Sequence, residues 1–389
     1  MVFERKNNIL NFEVKVKKVG LVTYHASHNI GSMLQTYAMQ YTLKDRYQLD
    51  VEVIDFSSKS QQNMYSMFPI YKTPKGIIRL AVNFLTYPIL KSRYNDYENF
   101  IKKHFNLSSS SYEYTSQLNN IANDYDYFIA GSDQIWNVNC EDFDDAYFLP
   151  FKTNAKKISY APSLGGKNIL NSDVDLEKYK SYINDFNHHS VREVNGKQWL
   201  EKLSGNDFSI VADPTILVEE DVWDNLANEV DFKGDYIFFY GVPFSPKTYD
   251  IVLDISKKLK MPVVMLDAKS YIYRGNFARG FKLWKHCSPS DYLGLIKGSK
   301  LVITTSFHGS IFASIFKKNF WAVTFKETNS DDDRIKTLFE QLNLSERLIY
   351  IENHADYDLL EDVDYSSYDE TILKFRQRSF SFLDSALKD

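Results

Sequence analysis

A histidine lies where a predicted strand meets a predicted helix, in the segment from Leu301 to Phe316. Leu301 to Thr305 is apolar and β-branched, as expected of a strand covered on both faces, and Ser310 to Phe316 has apolar residues at helical spacing. The free N–H groups and the dipole at the start of a helix favour an anion. His308 adds a group that donates hydrogen bonds or transfers a proton near neutral pH, although it could also simply cap the helix. We therefore predict an anion site at this junction, with His308 in a functional role.

Other polar residues follow short apolar runs in the same way. Asp133 and Arg192 each come just after such a run. Because ligands of open α/β sheets bind outside the carboxyl ends of the strands, these side chains are expected to converge on one crevice. Asp213 also ends an apolar run, but Pro214 stiffens the turn that follows, which favours a mainly structural role for it.

The elements that position these residues alternate between strands and helices along the chain. A strand, a polar loop and a helical pattern over residues 16–43 form the first unit of a doubly wound domain, without the G-x-G-x-x-G spacing of a dinucleotide site. A second set begins near Tyr236. The predicted fold class is α/β, with two Rossmann-like domains and a cleft between them. We place the N-terminal domain at 1–220, with a C-terminal helix at 365–389 packing back on it, and the C-terminal domain at 221–364.

The composition is typical of a soluble globular protein. The 389 residues are 44% apolar and 25% charged, and the net charge of −5 argues against a nucleic-acid partner. Cys140 and Cys287 are too few for a disulfide framework. Since neither a secretory signal nor a membrane-spanning run is visible, we expect a cytoplasmic protein. His25 and His28 lack a nearby carboxylate cluster in the sequence, so no metal is predicted.

The segment from Gly76 to Leu90 is unusually apolar and has basic residues in and around it. One interpretation is a membrane element that lies in the interface. The alternative, which we favour from the sequence, is a core or lid helix that is broken by Pro88.

From about Lys18 to Leu344 the chain resembles the polysaccharide pyruvyl transferase family. The motifs are short, and their joint order is more specific than any one of them. They are His28-Asn29-Ile30-Gly31-Ser32-Met33-Leu34-Gln35, Gly131-Ser132-Asp133-Gln134-Ile135-Trp136-Asn137, Tyr160-Ala161-Pro162-Ser163, Ser190-Val191-Arg192-Glu193, Asp213-Pro214-Thr215 and Ser306-Phe307-His308-Gly309.

The resemblance implies a GT-B-like pair of domains, with the donor on the C-terminal side and the acceptor on the N-terminal side. It implies transfer of the enolpyruvyl unit of phosphoenolpyruvate to a sugar, expected to be of the galactose type, as a ketal and with no cofactor. The acceptor would be a glycan precursor of the cell envelope, such as capsule or exopolysaccharide, linked to a lipid carrier. A peripheral position at the inner face of the membrane would then give residues 76–90 a purpose. Two alternatives stay open: a nucleotide-sugar glycosyltransferase on the same plan, and a non-catalytic glycan-binding protein.

The implied chemistry needs groups that bind a phosphate and a carboxylate, together with an acid and a base. Arg192 offers a planar fork for one anion, unless it forms a structural ion pair with Glu193. His308 is expected to bind the donor and move a proton to or from the leaving phosphate. Asp133 is expected to act as a base on the sugar hydroxyl or to protonate the enol carbon, unless it caps a following helix. The roles of His308 and Asp133 could be exchanged.

Further residues are expected to contact the donor or the acceptor. For two of them, Asn29 and Gly31, the alternative is that they only supply unusual backbone angles in a tight loop. For Arg334 the alternative is an exposed run of surface charges. The expected substrate-binding residues are Thr305, Ser306, Gly309, Ser310, Arg334, His28, Asn29, Gly31, Ser132 and Gln134.

Overall fold

The computed structural model describes residues 16–70, 74–241, 246–325 and 331–388, and its first sheet is entirely parallel. The strands of this sheet are β1 Lys18–Val22, β2 Asp50–Phe56, β3 Leu107–Tyr112, β4 Tyr127–Ala130 and β5 Lys156–Ser159. Their spatial order is β3-β2-β1-β4-β5, so the order reverses between β1 and β4. The two short strands β6 Ser190–Val191 and β7 Ser209–Ile210 pair separately and in parallel.

The second sheet is also parallel in every pairing. Its strands are β8 Ile237–Tyr240, β9 Val263–Met265, β10 Lys282–Leu283, β11 Leu301–Thr304, β12 Phe320–Thr324 and β13 Leu348–Tyr350. The spatial order β10-β9-β8-β11-β12-β13 reverses between β8 and β11. Two parallel sheets, each with one reversal, confirm the predicted α/β fold with two Rossmann-like units.

Helices connect the strands and cover both sheets. In the first half of the chain they are α1 Ile30–Asp45, α2 Lys59–Tyr65, α3 Pro74–Leu85, α4 Tyr87–His104, α5 Leu176–Asn184, α6 Val194–Ser204, α7 Pro214–Leu217 and α8 Glu220–Leu226. In the second half they are α9 Pro246–Leu259, α10 Ala268–Tyr273, α11 Pro289–Gly298, α12 Phe307–Ile315, α13 Arg334–Leu342 and α14 Tyr368–Ala386. None of the helices in the described residues is long and apolar enough to cross a membrane.

The two halves share an apolar core. Trp223 of α8 is fully buried, and its ring lies 5.7 Å from that of Tyr37 in α1 and 5.0 Å from that of Phe312 in α12. One cluster of buried side chains therefore runs from the first sheet to the second. This core fixes α1 and α12, whose amino ends face the cleft.

Helix α14 reaches residues of both halves. Tyr47 Oη donates to Asp384 at 2.8 Å and Tyr127 Oη to the carbonyl of Leu387 at 3.0 Å, both from the first half. Tyr368 Oη donates to Ser314 Oγ at 3.2 Å, in the second half. The domain boundary after residue 220 stays a prediction.

The apolar segment at residues 76–90 is not one core helix broken by Pro88. It forms α3 and the start of α4, and the break falls at Thr86, while Pro88 lies in the first turn of α4. Proline suits that position because the first turn has no helical partner for its missing N–H. Most apolar residues of this segment are exposed, so the core interpretation is wrong.

Candidate functional site

A cleft of about 510 Å³ lies where the strand order of both sheets reverses. Residues after β1 and β4 form one wall, and residues after β8 and β11 form the other. Such a position is where open α/β sheets bind ligands, because two neighbouring loops turn away from each other there. The strand ends singled out in the sequence therefore do converge.

The turn between β11 and α12 presents a helix start to this cleft. Ser306 caps α12, since its Oγ accepts a hydrogen bond from Gly309 N at 3.3 Å. The helix thus begins at Phe307, three residues earlier than the sequence pattern predicted. His308 lies in its first turn and is not the cap. The imidazole is close to the anion-favouring end of the helix dipole.

One buried carboxylate connects the two residues predicted to bind the donor, Arg192 and His308. Asp213 Oδ2 accepts a hydrogen bond from Arg192 Nη1 at 2.8 Å and lies 3.5 Å from His308 Nε2. Burial alone would raise the pKa of Asp213, but His308 and Arg192 outweigh it and hold that pKa well below its ordinary value. Asp213 therefore stays ionised and holds together two residues from different halves of the chain.

Asp213 also has the structural role that the sequence suggested. Its Oδ1 accepts hydrogen bonds from Thr215 N at 3.1 Å and Thr215 Oγ1 at 2.7 Å at the start of α7. The sequence missed its second role because the arginine and the histidine lie 21 and 95 residues away along the chain.

Arg192 is not mainly paired with its neighbour in sequence. Its Nε lies 3.8 Å from Glu193 Oε2 without a hydrogen bond, while Glu193 Oε1 accepts from Ser163 Oγ and Leu164 N. Burial raises the pKa of Glu193, which lies beneath the loop that contains Ser163 and Leu164. The guanidinium carbon of Arg192 lies 4.1 Å from the centre of the Phe307 ring, so the arginine packs on the start of α12.

Asp133 faces Arg192 at the end of β4. Its Oδ1 lies 4.0 Å from Arg192 Nη2 and accepts a hydrogen bond from Gln134 N at 2.8 Å. Its Oδ2 accepts from Ser32 Oγ at 2.5 Å. The residue has a positive φ of 73°, and turns rather than a helix follow it, so the helix-cap alternative is wrong. Asp133 is instead held as a largely buried carboxylate in the cleft wall.

Gly31 is explained by a close approach and not by unusual backbone angles. A Cβ on Gly31 would lie 2.2 Å from His308 Nδ1, so only glycine lets the imidazole pack on α1. Asn29 caps α1, with Oδ1 accepting from Gly31 N at 2.9 Å, and it has an ordinary extended conformation. The alternative based on backbone strain is therefore wrong for both residues.

Arg334 lies in the cleft rather than in an exposed charge run. Its Nε and Nη2 donate to the two carboxylate oxygens of Asp332 at 2.7 and 2.6 Å. Asp332 in turn packs on Gly166, where a Cβ would meet its Cβ at 2.5 Å. Lys269 also lines the cleft, and its Nζ has no hydrogen-bond or ion-pair partner within the described residues. The cleft therefore contains more cationic groups than the sequence indicated.

Aromatic rings form one side of the cleft, in a stretch that the sequence left unassigned. The His28 imidazole stacks on Tyr97, with ring centres 4.9 Å apart, and meets the edge of Tyr94 at 4.6 Å. His28 Nε2 is 2.9 Å from Glu98 Oε1, and this hydrogen bond lowers the pKa of Glu98. Helix α4 is anchored to the second half, because Arg93 Nη1 donates to the carbonyl of Leu266 at 2.5 Å.

Most of the residues that were predicted to form the site line the cleft. Those that line it are His308, Asp133, Arg192, Thr305, Ser306, Arg334, His28, Asn29 and Gln134. Four others support the site from behind: Gly31, Ser132, Gly309 and Ser310. Ser132 Oγ donates to the carbonyl of Ala161, and Ser310 Oγ to the carbonyl of Ser306. Within the part of the chain that is described, no three His, Cys, Asp or Glu side chains group as metal ligands would.

The fold and the cleft together define a GT-B-type α/β protein with a cationic site between two Rossmann-like units. The chain belongs to the polysaccharide pyruvyl transferase family, whose model matches residues 29–327. Membership implies a transferase that acts on a polysaccharide. It confirms the resemblance that the sequence motifs indicated.

Solved structures share the fold over nearly the whole chain. A UDP-N-acetylglucosamine 2-epimerase is 11% identical with a TM-score of 0.50, over 96% of this chain and 95% of its own. A Listeria monocytogenes protein described as a UDP-N-acetylglucosamine 2-epimerase is 12% identical with a TM-score of 0.52, over 95% of this chain and 94% of its own. At these identities the likeness shows the fold alone. No curated protein matches the sequence.

Proposed function

We propose that the protein transfers the pyruvyl group of phosphoenolpyruvate to two hydroxyls of a sugar as a cyclic ketal and releases phosphate. The observation that carries the proposal is the Arg192–Asp213–His308 cluster at the start of α12, with Asp133 opposite it. Phosphoenolpyruvate has a phosphate and a carboxylate, and the cluster, Arg334 and the helix start offer donors for both.

The proposed reaction uses residues from both walls of the cleft. A proton adds to the enol methylene, C2 becomes electron-poor, and one sugar hydroxyl attacks it and gives up its proton to a base. The bond between C2 and the phosphate oxygen then breaks, and the second hydroxyl closes the ring as its proton leaves. We assign donor binding and proton transfer at the phosphate to His308, and proton transfer at the sugar or the enol carbon to Asp133. Arg192 Nη1 is held by Asp213, which leaves Nη2 turned toward Asp133 for the donor.

The acceptor is proposed to bind on the side of His28 and the aromatic wall. Tyr65, Tyr94 and Tyr97 line the cleft there, and their rings and hydroxyls suit the apolar faces and hydroxyls of a sugar. We propose a glycan precursor on a lipid carrier as the acceptor, with the protein in the cytoplasm.

Ligand-dependent stabilisation should identify the donor. Phosphoenolpyruvate is expected to raise the melting temperature, since a ligand at 100 times its Kd stabilises the native state by about 2.7 kcal/mol. With a galactosyl lipid mimic present, phosphate release is the activity to measure. Stabilisation by UDP-sugars and not by phosphoenolpyruvate would instead favour a glycosyltransferase, and ligand binding without turnover over a broad sugar panel would favour a binding protein.

A single methyl group at Gly31 should separate activity from stability. In Gly31→Ala the new Cβ would overlap His308 Nδ1, and the imidazole must move by about 1 Å, a displacement that can cost about 100-fold in rate. We expect a loss of that order in phosphate release. Gly298→Ala is the control, because its Cβ would meet only the hydroxyl of Tyr236, away from the cleft. Unchanged turnover in Gly31→Ala would refute the assigned position of His308.

A further inference from the structure

Helix α3 has its apolar side toward solvent. Side chains at positions 77, 78, 84 and 85 lie on one face, because seven residues make nearly two helical turns. They are exposed by 66% at Ile77, 66% at Ile78, 74% at Phe84 and 80% at Leu85. The opposite face, against the protein, has Gly76 and the fully buried amide of Asn83. This is the reverse of an ordinary surface helix, which turns its apolar face inward.

The apolar surface continues from α3 to the mouth of the cleft. Ile89 in the first turn of α4 is 42% exposed, and Phe68, 39% exposed, stacks on Tyr87 with ring centres 5.8 Å apart. Ile70 beside them is 78% exposed. Met64 is 37% exposed and lines the cleft itself. A contiguous apolar area of this kind marks an interaction surface rather than a scatter of single residues.

The charged residues of the sequence around α3 are all basic. Acidic residues outnumber basic ones in the whole chain, yet none occurs between Asp55 and Asp96. The basic residues in the same interval are Lys59, Lys72, Lys75, Arg79, Lys91 and Arg93. Arg79 of α3 and Lys91 of α4 are both exposed. Large aliphatic side chains together with an excess of basic residues are typical of surfaces that bind anionic lipid.

We propose that the apolar outer face of α3 and the start of α4, residues 77–89, docks on an anionic lipid bilayer. Among possible occupants, a second copy of the chain is disfavoured by charge. A symmetric dimer would place this face against itself, so that basic residues would meet basic residues with no acidic residue in the interval to offset them. An anionic bilayer supplies both the apolar phase and the opposite charge.

The docking face is tied to the cleft, so a bound bilayer would lie beside its mouth. Asn83 accepts a hydrogen bond from the Tyr273 hydroxyl of α10 and donates to the carbonyl of Met67 at 2.9 Å. The Arg79 guanidinium lies 5.9 Å from the centre of the Tyr273 ring. Lys269, one helical turn before Tyr273, lines the cleft. The surface is therefore held against both halves of the molecule, with Arg79 and Lys269 near its border with the cleft.

Vesicle flotation of the purified full chain tests the proposal without using its activity. We expect the protein to float with vesicles of phosphatidylcholine and phosphatidylglycerol. Binding should be weaker to neutral phosphatidylcholine vesicles, and weaker to the anionic vesicles at high salt. Ile78→Asp combined with Phe84→Asp should weaken binding by at least about tenfold, since two anchors become charges that the bilayer repels. Both side chains are exposed in the free protein, so the fold should survive.

A matched control uses an exposed aliphatic residue far from α3. Leu373 in α14 is 57% exposed, and Leu373→Asp should leave vesicle binding unchanged. The proposal is overturned if the wild type fails to bind anionic vesicles, or if the α3 double variant and the Leu373 variant lose binding equally. It is also overturned if light scattering shows a dimer that the double variant dissociates while no vesicle binding is found.

Discussion

Replacing His308 by glutamine is expected to lower the rate of phosphate release by about 10²- to 10⁴-fold while the protein stays folded. Glutamine is close to histidine in size and its amide can donate a hydrogen bond toward Asp213, but it can neither carry a charge nor transfer a proton. Asp213 keeps its hydrogen bonds with Arg192 and Thr215 in this variant. The free energy of unfolding should therefore change by only about 1 kcal/mol.

A second histidine provides the comparison. His354 Nδ1 lies 3.0 Å from the carbonyl of Ile351 and outside the cleft, so His354→Gln should keep full turnover. Steady-state phosphate release and urea unfolding of both variants check the result. If His308→Gln retained turnover within about fivefold, the proton-transfer role would have to pass to another residue of the cleft, Asp133 first.

Arg192 offers a less clean separation of activity from stability. It is buried, and it holds one oxygen of an equally buried carboxylate. Removing it leaves Asp213 with the His308 imidazole as its only neighbour at ion-pair distance in the described residues. Breaking a buried pair in this way costs about 3–5 kcal/mol, so lost activity could reflect lost fold. A substitution of His308 is therefore a better test of catalysis than a substitution of Arg192.

The parts of the fold and the site that depend on local patterns were predictable. Short apolar runs that end in polar residues indicated β4 and β11. The two successive sets of alternating strands and helices predicted the α/β class. The converging strand ends followed from the geometry of parallel sheets. Helix α13, Arg334–Leu342, is an ordinary helix with one apolar face, the kind of element that hydrophobic periodicity indicates.

The parts that depend on contacts distant in sequence were not predictable. Asp213 reads as a turn residue, and nothing near it in sequence shows that α12 will bring an imidazole beside it. Gly31 reads as a flexible loop residue, whereas glycine is required there by the ring of His308, which lies on α12 in the second half of the chain. The aromatic wall was missed because α4 leaves its own sheet to dock on the second half. An apolar helix that faces solvent also defeats the rule that apolar faces are buried.

Replacing Asp213 by asparagine is expected to lower the free energy of unfolding by about 3–5 kcal/mol, and activity with it. The amide keeps the shape of the side chain but removes the charge that balances buried Arg192 and lies beside His308. Asp250→Asn is the matched control. Its carboxylate pairs with Arg279 at 2.7 Å but is 61% exposed, so its loss should cost under about 1 kcal/mol. Equal, small losses in both variants would mean that Asp213 does not organise the cluster.

The stabilisation by Asp213 should also depend on pH in a defined direction. In the unfolded chain an aspartate titrates near pH ~3.9, whereas His308 and Arg192 hold the pKa of folded Asp213 well below that despite its burial. The folded state therefore favours the ionised form, and the stabilisation is complete above about pH 4 and lost as the pH falls through the lowered pKa. Urea unfolding of the wild type and Asp213→Asn should give free energies that differ most near neutral pH and approach each other below about pH 4. A gap that widened with acid would contradict the ionised state of Asp213, and with it the buried charge that holds Arg192 and lies beside His308.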